Sequence, residues 1–97
     1  MNPEIIFIQN NEKTEEINFG IVQAGTTKKL NIEVKNIGKS ALKDIICEIE
    51  DKSVKIIEYP QILLLNESKI IILEFAAPID ADKPLKTTIK IKGSYIV

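Results

Sequence analysis

Apolar and polar residues alternate along much of the chain with a period of two, which is typical of β-strands that bury one face. The alternation is clearest at 28–36, 44–50 and 85–92. Shorter stretches rich in β-branched or aliphatic residues lie at 4–8, 17–22, 54–59, 62–65 and 69–76. No window of about a dozen residues has the 3.6-residue spacing of an amphipathic helix. The pattern therefore predicts an all-β protein.

Glycine, asparagine and proline separate these segments, because they tolerate positive φ or end a strand ladder. Five of them are predicted to be structural turns: Gly20, Gly25, Asn36, Gly38 and Pro78. Seven or eight short strands at about ten-residue spacing predict an immunoglobulin-like antiparallel β-sandwich. A small closed barrel is the competing architecture. The 97 residues suit one domain, and no repeat or boundary divides 1–97.

The segment from Ile17 to Gly25 resembles the (D/N)FG-x-V-x-x-G opening of ASH and major-sperm-protein-like immunoglobulin domains. The following strand ends in Asn36-Ile37-Gly38, similar to the family's N-x-G, and Leu64 to Pro78 is similar to its later L…F-x-P segment. The resemblance implies an immunoglobulin fold that binds and scaffolds other proteins without a catalytic site. The family has one further short strand after the segment matching 86–92. Residues 93–97 either serve as that strand or leave the sheet edge to be completed otherwise.

Several isoleucines fall on the strand face that the alternation assigns to solvent. In 4–8, Ile6 and Ile8 lie opposite the face of Ile5 and Phe7. The candidates for partner contact are Ile6, Ile8, Ile70, Ile72, Tyr95 and Ile96. A free monomer rarely exposes a large contiguous apolar patch, so we expect protein contact through an N-terminal strand in 1–10, the tail 93–97, or both. A strand lent to or borrowed from a neighbour is one form of such contact. Genome bias toward isoleucine, which occurs 20 times, is the alternative explanation.

Composition narrows the possible chemistry. The chain has 13 lysines, no arginine, no histidine and a net charge of −1, so it lacks the electrostatic footprint of a nucleic-acid binder. Without histidine it also lacks the commonest general base and metal ligand. No basic leader and no long apolar segment is present, which predicts synthesis in the cytoplasm without a signal peptide or membrane span.

The residues that usually carry chemistry have simpler explanations here. Cys47 alternates with Ile45 and Ile49, which predicts burial in the core. Asp80 and Asp82 offer too few oxygens for calcium within their loop. Lys86, Lys90 and Lys92 form a lysine stripe typical of a protected sheet edge. The sequence predicts no enzyme, no cofactor, no metal site and no small-molecule substrate.

These patterns favour a structural or assembly protein that docks onto a larger complex, on its own copies or another protein. A virion component is the specific form, as a capsid or tail decoration, cement or adaptor protein, and this step rests on fold analogy. The alternative is a cellular interaction module of the ASH or major-sperm-protein type that binds a peptide along a sheet edge. A small enzyme or chaperone is a third class, and the missing arginine disfavours a strand-donating chaperone.

Overall fold

The computed structural model describes residues 4–96, without the side chains of Tyr95 and Ile96. Nine strands connected by loops, without a helix, make up this part of the chain. They are β1 (Ile5–Gln9), β2 (Glu12–Thr14), β3 (Ile17–Val22), β4 (Thr27–Asn36), β5 (Ala41–Ile49), β6 (Val54–Glu58), β7 (Ser68–Ala76), β8 (Lys83–Thr87) and β9 (Ile89–Ile96). The all-β prediction is confirmed.

The strand count exceeds seven or eight for two local reasons. Residues 12–14 form a short strand of their own, and the segment predicted at 85–92 divides at Thr88 into β8 and β9. Conversely, the stretch predicted at 62–65 forms only one bridge, between Leu63 and Leu42.

All strand pairs are antiparallel and form three sheets. The largest has the order β2-β1-β4-β7-β6, while β3 pairs with β8 and β5 pairs with β9. Because β8 runs almost directly into β9, one long segment pairs first with β3 and then with β5. Leu85, Thr87 and Ile89 are all buried, so the alternation of side chains continues across the break at Thr88.

The three sheets share one hydrophobic core. Its fully buried members come from both sides, with Ile32, Ile71 and Leu73 from the five-stranded sheet and Ile17 and Phe19 from β3. The rings of Phe19 and Phe75 meet edge to face, with centroids 6.0 Å apart. Alternating apolar residues on strands of different sheets thus bury their faces against each other.

The first strand lies inside the protein's own sheet. Ile5–Gln9 pairs with β4 on one side and with β2 on the other. Asn10 and Asn11 both have positive φ, which gives the tight two-residue turn between β1 and β2. The side chain of Gln9 exchanges two hydrogen bonds with the backbone of Asn18, which fastens this hairpin to β3.

Both terminal segments pair within the protein's own sheets, while contact of either segment with a neighbour stays a prediction. The segment 4–8 is an internal strand of the five-stranded sheet, and the tail pairs with β5 as far as Ile96. The tail pairs closely because Gly93 lies against a bulge in β5. A Cβ at Gly93 would come within 2.6 Å of the Lys43 carbonyl oxygen.

A buried asparagine at the end of β4 bonds to residues 38–40, 63 and 66–67. Asn36, fully buried at the end of β4, donates from its amide to the carbonyls of Ser40 and Leu63 and accepts from the Gly38 N–H. Its backbone exchanges hydrogen bonds with Asn66 and Glu67. Since the amide of Asn36 is fully buried and each of its polar atoms is bonded to one of these segments, Asn36 holds this end of the sheets together.

We predict that Asn36→Ala lowers the free energy of unfolding by about 2–4 kcal/mol, because it removes three hydrogen bonds made by a fully buried amide. Urea unfolding of the purified protein measures the change. Asn31→Ala is the matched control, since Asn31 is exposed on the same strand, and should stay within about 0.5 kcal/mol of the parent protein. Equal urea midpoints for the two variants would contradict the role assigned to Asn36.

Candidate functional site

Four isoleucines lie on the outer surface of the five-stranded sheet. Core-facing positions pair Phe7 with Val34, so the intervening residues of β1 face outward. One row across the sheet runs from Ile8 through Glu33 to Ile70, because Ile8 and Ile70 both pair with Glu33. We define the isoleucine face by four residues: Ile6, Ile8, Ile70 and Ile72.

Exposure differs across the isoleucine face. Ile70 keeps 47% of its surface exposed, whereas Ile6, Ile8 and Ile72 are half-buried by their neighbours. Strands lie about 4.8 Å apart, so the isoleucines of β1 and β7 stand about 10 Å apart with β4 between them. The apolar groups therefore form two strips separated by the side chains of β4.

The strip between them is charged. Glu33 and Lys35 are half-buried on the outer side of β4. No described side chain forms an ion pair with Glu33, whereas Lys29 and Glu74 pair at 3.9 Å further along the same surface. The isoleucine face thus offers apolar contact on both sides of a carboxylate that forms no ion pair with a described side chain.

A second apolar surface gathers around Asn36. Ile37, Leu64 and Leu65 are each 40% to 50% exposed and follow or precede residues that bond to Asn36. The Ile37 N–H donates to the carbonyl of Glu4, so the start of β1 lies at the same end. Sequence reasoning missed this grouping because only the hydrogen bonds of Asn36 bring 36–37 beside 64–67.

The residues predicted as partner contacts have different outcomes. The structure brings Ile6, Ile8, Ile70 and Ile72 together on one face. The side chains of Tyr95 and Ile96 lie outside the described residues. No sequence signal placed the first four on a common face, because that depends on β1 and β7 both pairing with β4.

The residues predicted as turns lie in loops, in bulges or at strand ends. Gly20 has a φ of 69° at the bulge in β3, and its N–H donates to the side chain of Asn18. Gly25 has a φ of 73°, and its N–H donates to the carbonyl of Pro78. The bond between Gly25 and Pro78 joins two loops at the end of the molecule where β4 begins.

Acidic residues outside the isoleucine face accept hydrogen bonds from other segments of the chain. Asp82 accepts from the Ala24 N–H, and Glu50 accepts from the Thr88 hydroxyl. Among residues 4–96, no three or more acidic, cysteine or histidine side chains are grouped to hold a metal ion. The described chain also contains no helix long and apolar enough to cross a membrane.

The single thiol lies in the core, as its alternation predicts. Cys47 is 8% exposed, between Ile45 and Ile49 on β5. Burial raises the pKa of the Cys47 thiol from an ordinary value of 9.0 to about 11. A thiol in this environment stays protonated at neutral pH and packs as a small apolar group.

Searches of protein-family models, of curated proteins and of solved structures found no match to this chain.

We predict that Cys47 in the folded protein reacts with iodoacetamide at pH 8 at least about a hundredfold more slowly than in urea, because its raised pKa alone lowers the thiolate fraction by that factor. Mass spectrometry of timed samples measures the rates. Equal rates in the native and unfolded protein would contradict this burial.

The same pKa shift gives a pH dependence of stability. The thiol ionises above pH 9 in the unfolded chain but only near pH 11 in the folded one, so folded-state stability falls as pH rises between these values. Cys47→Ala should remove this part of the dependence and serves as its control.

Proposed function

We propose that the protein is a non-catalytic subunit with an immunoglobulin-like β-sandwich that docks onto a larger protein assembly through its isoleucine face. The observation that carries this proposal is the row Ile8, Glu33 and Ile70 on the outer surface of the five-stranded sheet.

The strand order supports the immunoglobulin part. The spatial order β1-β4-β7-β6 would correspond to strands A-B-E-D of an immunoglobulin domain, with β2 and β3 as additional strands between A and B. On the other side of the core, β5 and the β8–β9 segment would then correspond to strands C and F. The same correspondence supports the likeness to ASH and major-sperm-protein-like domains.

The energetics of burial support docking through the isoleucine face. Complete burial of an isoleucine contributes about 1.5–3 kcal/mol. Because Ile70 is about half exposed, covering the rest of its side chain would contribute about 1 kcal/mol. A partner with apolar groups over both strips and a cation opposite Glu33 would match this surface in shape and charge.

The residue types support the non-catalytic part. The chain has no histidine, and its one thiol is buried with a raised pKa. The more specific forms, a virion component or a cellular peptide-binding module, stay predictions. Electron microscopy of native particles would test the virion form, because a decoration or cement protein appears as many copies in a symmetric array.

We predict that Ile70→Lys weakens association by at least about tenfold, because it places a charge in an apolar contact. Sedimentation velocity at increasing concentration measures self-association. Quantitative affinity purification with the tagged protein from cells that make it measures association with other proteins. The fold should tolerate the change within about 0.5 kcal/mol, since the new lysine would lie beside Glu33.

Ile79→Lys is the matched control, because Ile79 is 91% exposed in a loop away from the isoleucine face. It should associate like the parent protein. A parent protein that stays monomeric at high concentration, and that captures the same proteins as Ile70→Lys, would overturn the proposal.

A further inference from the structure

One long edge of β9 has no neighbouring strand among the described residues. The Glu50 N–H donates to the Thr88 carbonyl, so the backbone groups of Thr88 point toward β5. Residues of an antiparallel ladder alternate between bonding to the neighbour and pointing away from it. The pairs Glu48–Lys90 and Ile46–Lys92 continue this alternation. The backbone N–H and C=O groups of Lys90 and Lys92 therefore point toward β5, and those of Ile89 and Ile91 point away from it.

The far end of β9 gives the same assignment independently. Leu42 makes both of its backbone hydrogen bonds to Leu63, so its N–H and C=O groups point away from β9. Its neighbour Lys43 therefore bonds to Ser94. Even-numbered residues of β9 thus bond to β5 at both ends, and no described backbone group bonds to Ile89 or Ile91.

The unpaired edge is the one that β3 covers further along. Thr87 lies two residues before Ile89, so the backbone groups of both point to the same edge of the strand. At this edge Thr87 pairs with Ile17, at the start of β3. Beyond Ile17, the place beside β9 is vacant of any described strand. A groove of about 360 Å³ opens there between β9 and the β1–β2 hairpin. Its lining combines the apolar Ile5, Phe7 and Ile89 with the charged Glu4, Lys13 and Glu15.

We propose that this open edge of β9 binds an extended segment of another protein as an added antiparallel strand. The Ile89 and Ile91 backbones supply its hydrogen bonds, in the recognition mode of β-strand addition. Its inward side chains are apolar, because Ile5 and Phe7 at the groove and Ile91 further along β9 are only partly buried. Antiparallel pairing continues the direction used by β3 and β5.

Charge selects the outward side chains of the added strand. Lys90 and Lys92 are exposed on the outer side of β9. On the β5 side, Glu48 lies opposite Lys90 and 3.2 Å from Lys92, and Glu50 lines a surface pocket with Lys90. Opposite charges on directly facing strand residues stabilise pairing. The partner segment is therefore one that alternates apolar with acidic residues.

The same lysines disfavour a second copy of β9 as the occupant. An antiparallel register that uses the Ile89 and Ile91 backbones and is centred on Lys90, Ile91 or Lys92 places one lysine opposite another. Like charges in facing positions are destabilising. The edge is thereby protected from self-pairing and left available to an acidic partner.

This inference deepens the proposed function by naming the chemistry of a partner, and it rests on that function only in taking the protein to act by binding other proteins. The groove shares Ile6 with the isoleucine face, but Ile70 of that face and the Ile89 and Ile91 backbones lie on different sheets. Failure at one surface is therefore measurable without failure at the other.

Amide hydrogen exchange of the free protein tests the open edge directly. The amides of Ile89 and Ile91 should exchange at least about a hundredfold faster than those of Lys90 and Lys92, which bond to β5. Equal protection of all four amides in the free protein would overturn the proposal.

A short synthetic peptide that alternates valine with glutamate tests the occupant. We expect it to bind and to slow exchange at Ile89 and Ile91. The same peptide with N-methyl groups on its valines should not bind, because these amides face β9 in an antiparallel pairing. Equal binding of the methylated peptide, or of a valine–lysine peptide, would overturn the proposal, as would lack of binding at millimolar concentration.

Charge variants complete the test. Lys90→Glu should weaken binding of the acidic peptide by about tenfold, while Lys55→Glu, exposed on β6 of the other sheet, should not change it. Ile70→Lys should bind the peptide like the parent protein. If Ile70→Lys abolishes assembly but keeps the peptide, the two surfaces are independent. If Lys90→Glu binds the peptide unchanged, the assigned partner chemistry is wrong.

Discussion

The arrangement of the sheets depends on the buried amide of Asn36. A side chain with two donors and one acceptor is fully buried at the end of β4, and each group has a partner within reach. Such a group is costly unless all its hydrogen bonds are made, so its surroundings can adopt few alternatives. The bonds bring 36–40, 63 and 66–67 together, and the neighbouring Ile37 N–H fixes the start of β1. The position of β1, and with it half of the isoleucine face, follows from this end of the molecule.

Strand register converts an ordinary isoleucine-rich sequence into two surfaces of different chemistry. On the five-stranded sheet, β1 and β7 flank β4, so isoleucines distant in sequence stand on either side of Glu33. On β9, the pattern is reversed, with isoleucines toward the core and lysines toward solvent. An apolar face suits docking by burial, whereas a charged edge with open backbone groups suits pairing with a selected strand. The apolar face belongs to the five-stranded sheet, whereas the open backbone groups belong to β9.

Alternation gave reliable information wherever burial was decided by a strand's own sequence. It placed Cys47 in the core, and it placed Ile71, Leu73 and Phe75 opposite Ile70 and Ile72, as found in the structure. It failed where hydrogen bonds between distant segments decided the outcome. The stretch 62–65 is as aliphatic as any strand, yet it follows loop contacts with Leu42, Glu67 and Asn36 and forms a single bridge. The break at Thr88 likewise reflects a change of neighbour from β3 to β5, which local composition does not record.

The sequence by itself determined that the protein is all-β, which face of each alternating strand is buried, and that its thiol belongs to the core, because these depend on a period of two residues. It also determined that isoleucine exceeds what one-sided strands require. Only the tertiary structure decided that β1 is an internal strand, that the surplus isoleucines of β1 and β7 share one face, and that one edge of β9 is open. These depend on which strands become neighbours and in which register, and long-range pairing is set by the joint burial of all the strands rather than by any one of them.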